Sequence, residues 1–330
     1  MTKMNWTHLR QAIGEAERIV LLPHIYADGD ALGSSGALAL FLQAQGKQVT
    51  IAVEEAVQDK LSFLCKKAGI EFIVSDGISS DVDLAIAVDV SDYARLGKRA
   101  SLFDCAGMRA RIDHHGVSGD FAPITVCNPA WAATAEGIYE LLTEMDARWT
   151  VPMAICIYTG LVTDTGCFAY SNVRAETMKV AAAMLEIAGD LSWIYRETFE
   201  NKTKSCIALT AIAYAKTQYE DEGRIAYLQL GADDYTAAAA TDEDSEGFSA
   251  MLRAIQGVHV SVFVRDGRAP GQYRISLRSN EACDVAKVAG EFGGGGHARA
   301  AGITYMPDRE ETFAAFKERL IQRLKECMEA

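Results

Sequence analysis

Residues 19–46 read IVLLPHIYADGDALGSSGALALFLQAQG, an apolar run, a polar loop and a second largely apolar segment. Residues 19–24 predict a buried strand, and residues 31–46 predict a helix that ends at Gly46. A strand that leads through a short loop into a helix is the building unit of parallel sheets. The loop leaves the carboxyl end of the strand, which is where such sheets bind ligands.

Strands and helices continue to alternate beyond this stretch. Further strands are predicted by apolar runs at 48–53, 71–75, 83–90 and 109–115, and helices by the periodicity of 131–145, 151–164 and 174–189. We therefore predict an α/β protein whose N-terminal domain, residues 1–188, is a mainly parallel sheet flanked by helices.

The chain has 330 residues, a length typical of two domains. Residues 189–205 are polar and interrupted, and we interpret them as the inter-domain linker. Residues 206–330 contain a helical segment, three strand-like runs, a glycine run, another strand and a terminal helix. They predict a second, smaller α/β domain.

The net charge of the chain argues against some kinds of binding partner. The formal net charge is −13, whereas proteins that track long nucleic acid or lie on anionic lipid are normally basic. No signal peptide or membrane-spanning run is evident. Eight scattered cysteines without a C-x-x-C pair indicate reduced, mostly buried thiols in a cytoplasmic protein. The sequence leaves the oligomeric state open, a homodimer included.

Four polar segments follow predicted strands or helices of the first domain. Their members are His24, Asp28 and Asp30; Asp89; Asp113, His114 and His115; and Asp164. Each segment alone has a structural explanation, because aspartates cap helices and form turns. Their joint occurrence in one predicted sheet favours a metal site.

The chemistry of these side chains limits the metal. Carboxylates outnumber imidazoles and thiolates are absent, which suits Mn²⁺, or Mg²⁺ at lower affinity. Two such ions, roughly 3.5–4 Å apart, stabilise both the attacking and the leaving group in phosphoryl transfer. Asp89 ends its strand with no neighbouring ligand, so we assign it as the carboxylate shared by both ions.

The four segments, in this order, resemble the N-terminal motifs of the DHH phosphoesterases. The matching residues are His24-x-x-x-Asp28-Gly29-Asp30-Ala31-x-Gly33-Ser34, Asp89, Asp113-His114-His115 and Asp164-Thr165-Gly166. The chain departs from the family at Ala27, where members often have proline; Tyr26 precedes it.

The resemblance implies a role for each residue. One manganese ion would be held by His24, Asp28 and Asp89, and the other by Asp30, Asp89, His114 and Asp164. Asp113 would orient an imidazole. His115 would lie beside the scissile phosphate, where it stabilises charge or assists the leaving group.

The strongest signal in the second domain is Gly293-Gly294-Gly295-Gly296-His297. It is compatible with a flexible turn, but successive glycines can also aim backbone N–H groups at one anion, which we favour. Residues 251–305 carry seven Arg/Lys against four Asp/Glu, so positive charge collects around this run. Arg278, which ends a predicted strand, is a candidate bidentate phosphate donor.

Arg278-Ser279 and the glycine run through Gly294, Gly295, Gly296 and His297 also resemble the signature of the DHH-associated nucleic-acid-binding domain. The two-domain arrangement is similar to manganese-dependent oligoribonucleases that degrade very short RNAs and dephosphorylate 3′-phosphoadenosine 5′-phosphate (pAp). The expected partner is a short RNA or nucleotide, rather than long nucleic acid or a membrane. The alternatives are a phosphodiesterase for cyclic or linear dinucleotides (cyclic di-AMP or pApA) and an inactive nucleotide-binding module.

Overall fold

The structure, a computed structural model, describes residues 6–75, 81–115, 121–267, 269–307 and 311–329, apart from the side chain of His297. The chain divides into two compact units, Met1–Asn201 and Lys202–Ala330. The point of division lies within residues 189–205, the predicted linker. The exact boundaries of the two domains remain predictions. Among the described residues, no helix is both long enough and apolar enough to cross a membrane.

The first unit is a six-stranded parallel sheet flanked by helices, which confirms the predicted fold class. Its strands are β1 Arg18–Pro23, β2 Gln48–Val53, β3 Phe72–Val74, β4 Leu84–Val88, β5 Met108–Asp113 and β6 Ile124–Cys127, in the order β3-β2-β1-β4-β5-β6. Its helices are α1 Thr7–Glu15, α2 Gly29–Ala44, α3 Phe63–Lys66, α4 Ala100–Cys105, α5 Thr134–Glu144, α6 Val151–Asp164, α7 Ala175–Ala188 and α8 Ser192–Tyr195. Short 3-10 segments Asp59–Leu61 and Tyr93–Arg99 and a π turn Arg196–Glu200 complete this unit.

The central strand β4 shows why the sequence specifies a parallel sheet. All five of its residues are buried. Leu84, Ile86 and Val88 pack into the core beneath α2, α5 and α6, while Ala85 and Ala87 pack into the core beneath α4. A strand with a core on both faces needs a continuous apolar run rather than an alternating one.

Helices α2 and α6 cross at very close range. A Cβ atom on Gly33 would lie 2.4 Å from the Cys156 carbonyl oxygen, and one on Gly160 would lie 2.6 Å from Asp30 Oδ1. Larger side chains at these two positions would therefore separate the helices. The close crossing brings the end of α6, with Asp164, beside the start of α2.

The second unit is also α/β, with a mixed six-stranded sheet. Its strands are β7 Gln218–Glu220, β8 Ile225–Leu230, β9 Val260–Asp266, β10 Tyr273–Ser279, β11 Gly295–His297 and β12 Ala300–Tyr305, in the order β11-β12-β10-β9-β8-β7. Its helices are α9 Lys204–Lys216, α10 Ala232–Ala238, α11 Phe248–Arg253, α12 Val285–Glu291 and α13 Phe313–Glu329, with 3-10 segments Asp221–Gly223 and Asp242–Ser245. Only β8 and β9 are paired in parallel among the described strands of this sheet.

The cysteines differ from the sequence-based expectation of reduced, mostly buried thiols. Cys283 and Cys327 form a disulfide between the segment before α12 and helix α13. Two of the free cysteines, Cys65 and Cys105, are exposed. The expectation was wrong for these positions because it rested on the absence of C-x-x-C spacing, whereas this pair is separated by 44 residues.

Candidate metal centre

The predicted metal ligands of the first unit lie together at the carboxyl edge of the parallel sheet. His24 follows β1, Asp89 follows β4, and His114 follows β5, and these three strands are neighbours in the order β1-β4-β5. The chain reverses its direction of strand addition at β1, and ligands of open α/β sheets bind at such a switch point.

One group of potential ligands consists of His24, Asp28 and Asp89. His24 Nε2 lies 3.7 Å from Asp28 Oδ2 and 3.6 Å from Asp89 Oδ2. The other ring nitrogen, Nδ1, lies 2.6 Å from the Ile25 carbonyl oxygen, which turns Nε2 towards the carboxylates. Asp28 also caps α2, since its Oδ1 accepts from the N–H groups of Asp30 and Ala31. Helix capping and ligand placement therefore use different oxygens of one carboxylate.

A second group consists of Asp30, His114 and Asp164. His114 Nε2 lies 3.1 Å from Asp164 Oδ2, and its Nδ1 lies 3.4 Å from the Trp131 carbonyl oxygen. Asp164 comes from the end of α6 and Asp30 from the first turn of α2. The close α2–α6 crossing thus assembles this group.

Asp89 lies between the two groups. Its Oδ2 faces His24 at 3.6 Å, and its Oδ1 faces His114 Nε2 at 3.6 Å. Its backbone is left-handed, with φ of +60°, which is uncommon for a non-glycine residue and recurs at functional sites. A carboxylate with one oxygen towards each group has the orientation that a shared ligand requires.

The cluster concentrates negative charge away from water. Burial, with repulsion from Asp89 and Asp164, raises the pKa of Asp30 well above its usual range. Burial is also the main cause that raises the pKa of Asp164 to about 6. Burial alone would lower the pKa of His114, but the adjoining carboxylates raise it well above its usual value. Such perturbations mark a site that a divalent cation would stabilise.

The donor set fits a hard divalent cation. The groups that could hold a metal contain carboxylate oxygens and imidazole nitrogens, with no cysteine among the described members. Oxygen-rich sites of this kind suit Mn²⁺ or Mg²⁺ better than a thiolate-bound zinc.

His115 is held by the aspartate that begins its motif. Its Nδ1 lies 2.6 Å from Asp113 Oδ1, and Asp113 is fully buried. The other oxygen of Asp113 pairs with the buried Arg111, whose guanidinium also lies over the Phe121 ring. Burial opposes ionisation of Asp113, but His115 and Arg111 lower its pKa. Asp113 is thus an ionised anchor for the His115 ring.

Residues at the start of α5 complete the site, and sequence analysis missed them. Thr134 Oγ1 donates to Asp89 Oδ1 at 2.8 Å. The N–H groups of Thr134 and Ala135 donate to the two oxygens of Asp30, at 2.6 and 2.9 Å. Ser34 Oγ also donates to Asp30, at 3.0 Å. The segment was predicted to be helical, but no local pattern indicates which distant carboxylate its first turn will meet.

Arg95 contacts His24, and the sequence did not indicate this contact either. Its Nη2 lies 2.9 Å from His24 Nδ1, and its carbonyl oxygen accepts from the Ile25 N–H. This places a cation beside the first group of potential ligands. Arg95 lies in a 3-10 segment after β4, where an arginine is usually read as an ordinary surface residue.

The predicted substrate residues of the second unit lie around β10, β11 and β12. Arg278 and Ser279 end β10. Ser279 is buried, and its hydroxyl donates to the Cys283 carbonyl oxygen at 2.6 Å. Gly295, Gly296 and the backbone of His297 form β11, so part of the glycine run is an edge strand rather than a turn. A Cβ on Gly296 would lie 2.4 Å from the Ala300 carbonyl oxygen, and one on Gly294 would lie 2.2 Å from that of Gly302. Close strand packing thus needs glycine here, and the anion-binding role stays a prediction.

Comparison with known proteins agrees with this architecture. Residues 18–161 match the DHH family, N-terminal domain, and residues 222–326 match the DHHA1 domain. The chain belongs to the DHH phosphoesterase family and is a hydrolase.

The similarity to individual relatives extends over nearly the whole chain. The chain is 30% identical to the bifunctional oligoribonuclease and PAP phosphatase NrnA of Thermus thermophilus, over 93% of this chain and 89% of the relative. It is 24% identical to the NrnA of Bacillus subtilis, over 95% and 98% of the two chains. Among solved structures, an exopolyphosphatase-related protein from Bacteroides fragilis superposes with a TM-score of 0.89 at 26% identity, covering 100% of both chains.

Proposed function

We propose that this protein is a cation-dependent phosphoesterase that removes terminal nucleotides from RNAs of a few residues and the 3′-phosphate from pAp. The observation that carries the proposal is the orientation of Asp89, with one carboxylate oxygen towards each of two His/Asp groups. The substrate class is suggested by the NrnA relatives, whose names state oligoribonuclease and PAP phosphatase activity.

We assign the proposed metal ligands to two cations, one for each group of side chains. His24, Asp28 and Asp89 would hold one divalent cation, and Asp30, Asp89, His114 and Asp164 the other. When bound, two Mn²⁺ or Mg²⁺ ions would supply a nucleophile from water at neutral pH and neutralise charge on the phosphoryl group. The raised pKa values of Asp30 and Asp164 support this assignment, because a cation would restore the ionised carboxylates.

His115 would act on the substrate rather than on the cations. Asp113 holds its Nδ1, which fixes the ring and favours a proton on that nitrogen. The ring would then be positioned to stabilise charge on the phosphate or to give a proton to the leaving oxygen. Asp113 itself would remain ionised and act by orienting His115.

The second unit would bind the nucleotide portion. Arg278 would act as a bidentate donor to a phosphate group, and Ser279 with Gly294, Gly295, Gly296 and His297 would complete that subsite. We also assign the protein to the cytoplasm, where short RNA fragments are produced.

A side-by-side turnover assay tests the proposed function. Labelled RNAs of two to five nucleotides, pAp, pApA and cyclic di-AMP would be incubated with Mn²⁺, and in parallel with a chelator. We expect rapid, manganese-dependent release of mononucleotides from the RNAs and of phosphate from pAp. A marked preference for cyclic di-AMP would instead identify a dinucleotide phosphodiesterase, and no turnover of any substrate would overturn the proposal.

A further inference from the structure

Arg95 carries a positive charge next to the first group of potential ligands. Within the described chain, its guanidinium makes one hydrogen-bonding contact, from Nη2 to His24 Nδ1 at 2.9 Å, and no carboxylate lies within ion-pairing distance of it. Its charge also acts on Asp28: burial raises the pKa of that carboxyl, but His24, the Ala31 N–H and Arg95 bring it below its usual value. An arginine side chain has five N–H donors, so most of these are available to a ligand.

The contact between Arg95 and His24 is one of two that cannot both be hydrogen bonds. Nδ1 of His24 also lies 2.6 Å from the Ile25 carbonyl oxygen, which only accepts, whereas the Arg95 guanidinium only donates. In histidines that bind a metal, the second ring nitrogen carries a hydrogen and donates it to a carboxylate, a carbonyl oxygen or water. With Nε2 on a cation, His24 Nδ1 therefore donates to Ile25 and offers no acceptor to Arg95.

Both backbone polar groups of Arg95 are hydrogen-bonded. Its N–H donates to Asp92 Oδ1 at 3.2 Å, and its carbonyl oxygen accepts from the Ile25 N–H at 2.9 Å. These bonds tie Arg95 to the start of its 3-10 segment and to the loop after β1. A cation held by His24 would repel the guanidinium, because both are positive. The side chain then loses its partner, while the backbone keeps it beside the site.

A phosphate group at the two cations would supply the acceptors that the Arg95 side chain then lacks. Phosphate oxygens are negatively charged, and the planar guanidinium matches two of them with parallel N–H donors. Phosphate therefore fits Arg95 both in charge and in geometry.

We propose that Arg95 turns from His24 Nδ1 to the phosphate group of the substrate when cations occupy the site, and donates to its oxygens. This inference rests on the proposed function, which places a phosphate group there, and it adds a substrate-binding residue from the first unit. Two opposite effects follow from the one charge. Arg95 disfavours cation binding and favours phosphate binding.

Calorimetric titrations of the whole chain separate these two effects. Mn²⁺ is titrated into metal-free protein, and inorganic phosphate into manganese-loaded protein from which excess Mn²⁺ has been removed. R95Q should bind Mn²⁺ at least as tightly as wild type, and phosphate about tenfold more weakly, as for loss of one hydrogen bond to a charged group. R95K, which keeps the charge, should recover part of the phosphate affinity. R109Q removes an arginine from the opposite, amino end of β5, and as the matched control it should bind both as wild type does.

Steady-state kinetics with pAp provide a second readout. A residue that binds the phosphate group in the bound substrate acts mainly on KM. We therefore expect R95Q to raise KM for pAp by about tenfold, in line with the loss of phosphate affinity, and to change kcat less. R109Q should leave both constants near those of wild type.

The outcomes separate this inference from the proposed function. Unchanged phosphate affinity in R95Q would overturn the role of Arg95 and leave the proposed function standing. A loss of Mn²⁺ affinity in R95Q would show that Arg95 holds His24 in place, and would overturn that role too. Wild-type protein that binds phosphate through Arg95 but hydrolyses no nucleotide would contradict the proposed function alone, and wild-type protein that binds no phosphate would overturn both. R95M, which is also neutral, replaces R95Q in each comparison if R95Q does not fold.

Discussion

Thr134 Oγ1 donates a 2.8 Å hydrogen bond to Asp89 Oδ1, the oxygen of that carboxylate that faces His114. Both side chains are buried, and they come from positions 45 residues apart in the chain. The hydroxyl therefore fixes the rotation of a carboxylate whose two oxygens point to different groups. Residues that hydrogen-bond to a metal ligand hold it in position, and their loss typically lowers metal affinity by about 10- to 100-fold.

Removing this hydroxyl should weaken metal binding without unfolding the site. We expect T134V to lower Mn²⁺ affinity by about 10- to 100-fold, since the shape is kept and the donor is lost. T134S should bind nearly as well as wild type. T210V, which removes a threonine hydroxyl from α9, serves as the control. Calorimetric titration with Mn²⁺ gives the comparison, and unchanged affinity in T134V would show that Thr134 does not position Asp89.

The metal-free protein should lose stability as pH rises from 5 to 7. Burial raises the pKa of Asp164 to about 6 in the folded chain, against about 3.9 for an unfolded aspartate. In this window the native state holds more protons than the unfolded state, so the free energy of unfolding falls with increasing pH. Denaturant unfolding in the presence of a chelator measures the slope. D164N should flatten it, and an identical slope in both proteins would show that Asp164 does not titrate here.

Arg278 and His297 should contribute to substrate binding but not to metal content. R278A and H297A are expected to raise KM for short RNA by about tenfold, as for loss of one charged hydrogen bond. Bound manganese should remain at the wild-type level, because neither residue is among the proposed metal ligands. Elemental analysis after dialysis checks this. Loss of manganese in either variant would place that residue in the metal site.

Substrate efficiency should fall as RNA lengthens beyond about five nucleotides, the span of a few phosphate contacts. The net charge of −13 leaves few surface positions for further phosphates. The dependence of log Kd on log salt concentration should match one to three phosphates, at roughly 0.7 per phosphate for single strands. Filter binding over a salt series, with RNAs of 3 to about 24 nucleotides, provides the slope. A preference for the long RNAs with a steep slope would indicate an exonuclease of extended strands.

Much of the fold followed from local patterns. The continuous apolar run of β4 and the loop after β1 predicted the parallel sheet and its ligand-binding edge. Two short strands were not predicted. β6 has four residues and β11 is mostly glycine, so neither shows a detectable alternation of apolar and polar residues. Local sequence also could not show that the α5 terminus meets Asp30, or that Cys283 meets Cys327, because both depend on tertiary packing.

The most direct test of a shared carboxylate is manganese-dependent turnover of a labelled trinucleotide by D89A, with H8A as the matched control. His8 is exposed on α1, so its removal should leave the rate near that of wild type. D89A removes the carboxylate that faces both groups, and if that carboxylate is the shared ligand, the rate should fall to that of the reaction without enzyme. A substantial manganese-dependent rate in D89A would contradict the binuclear site.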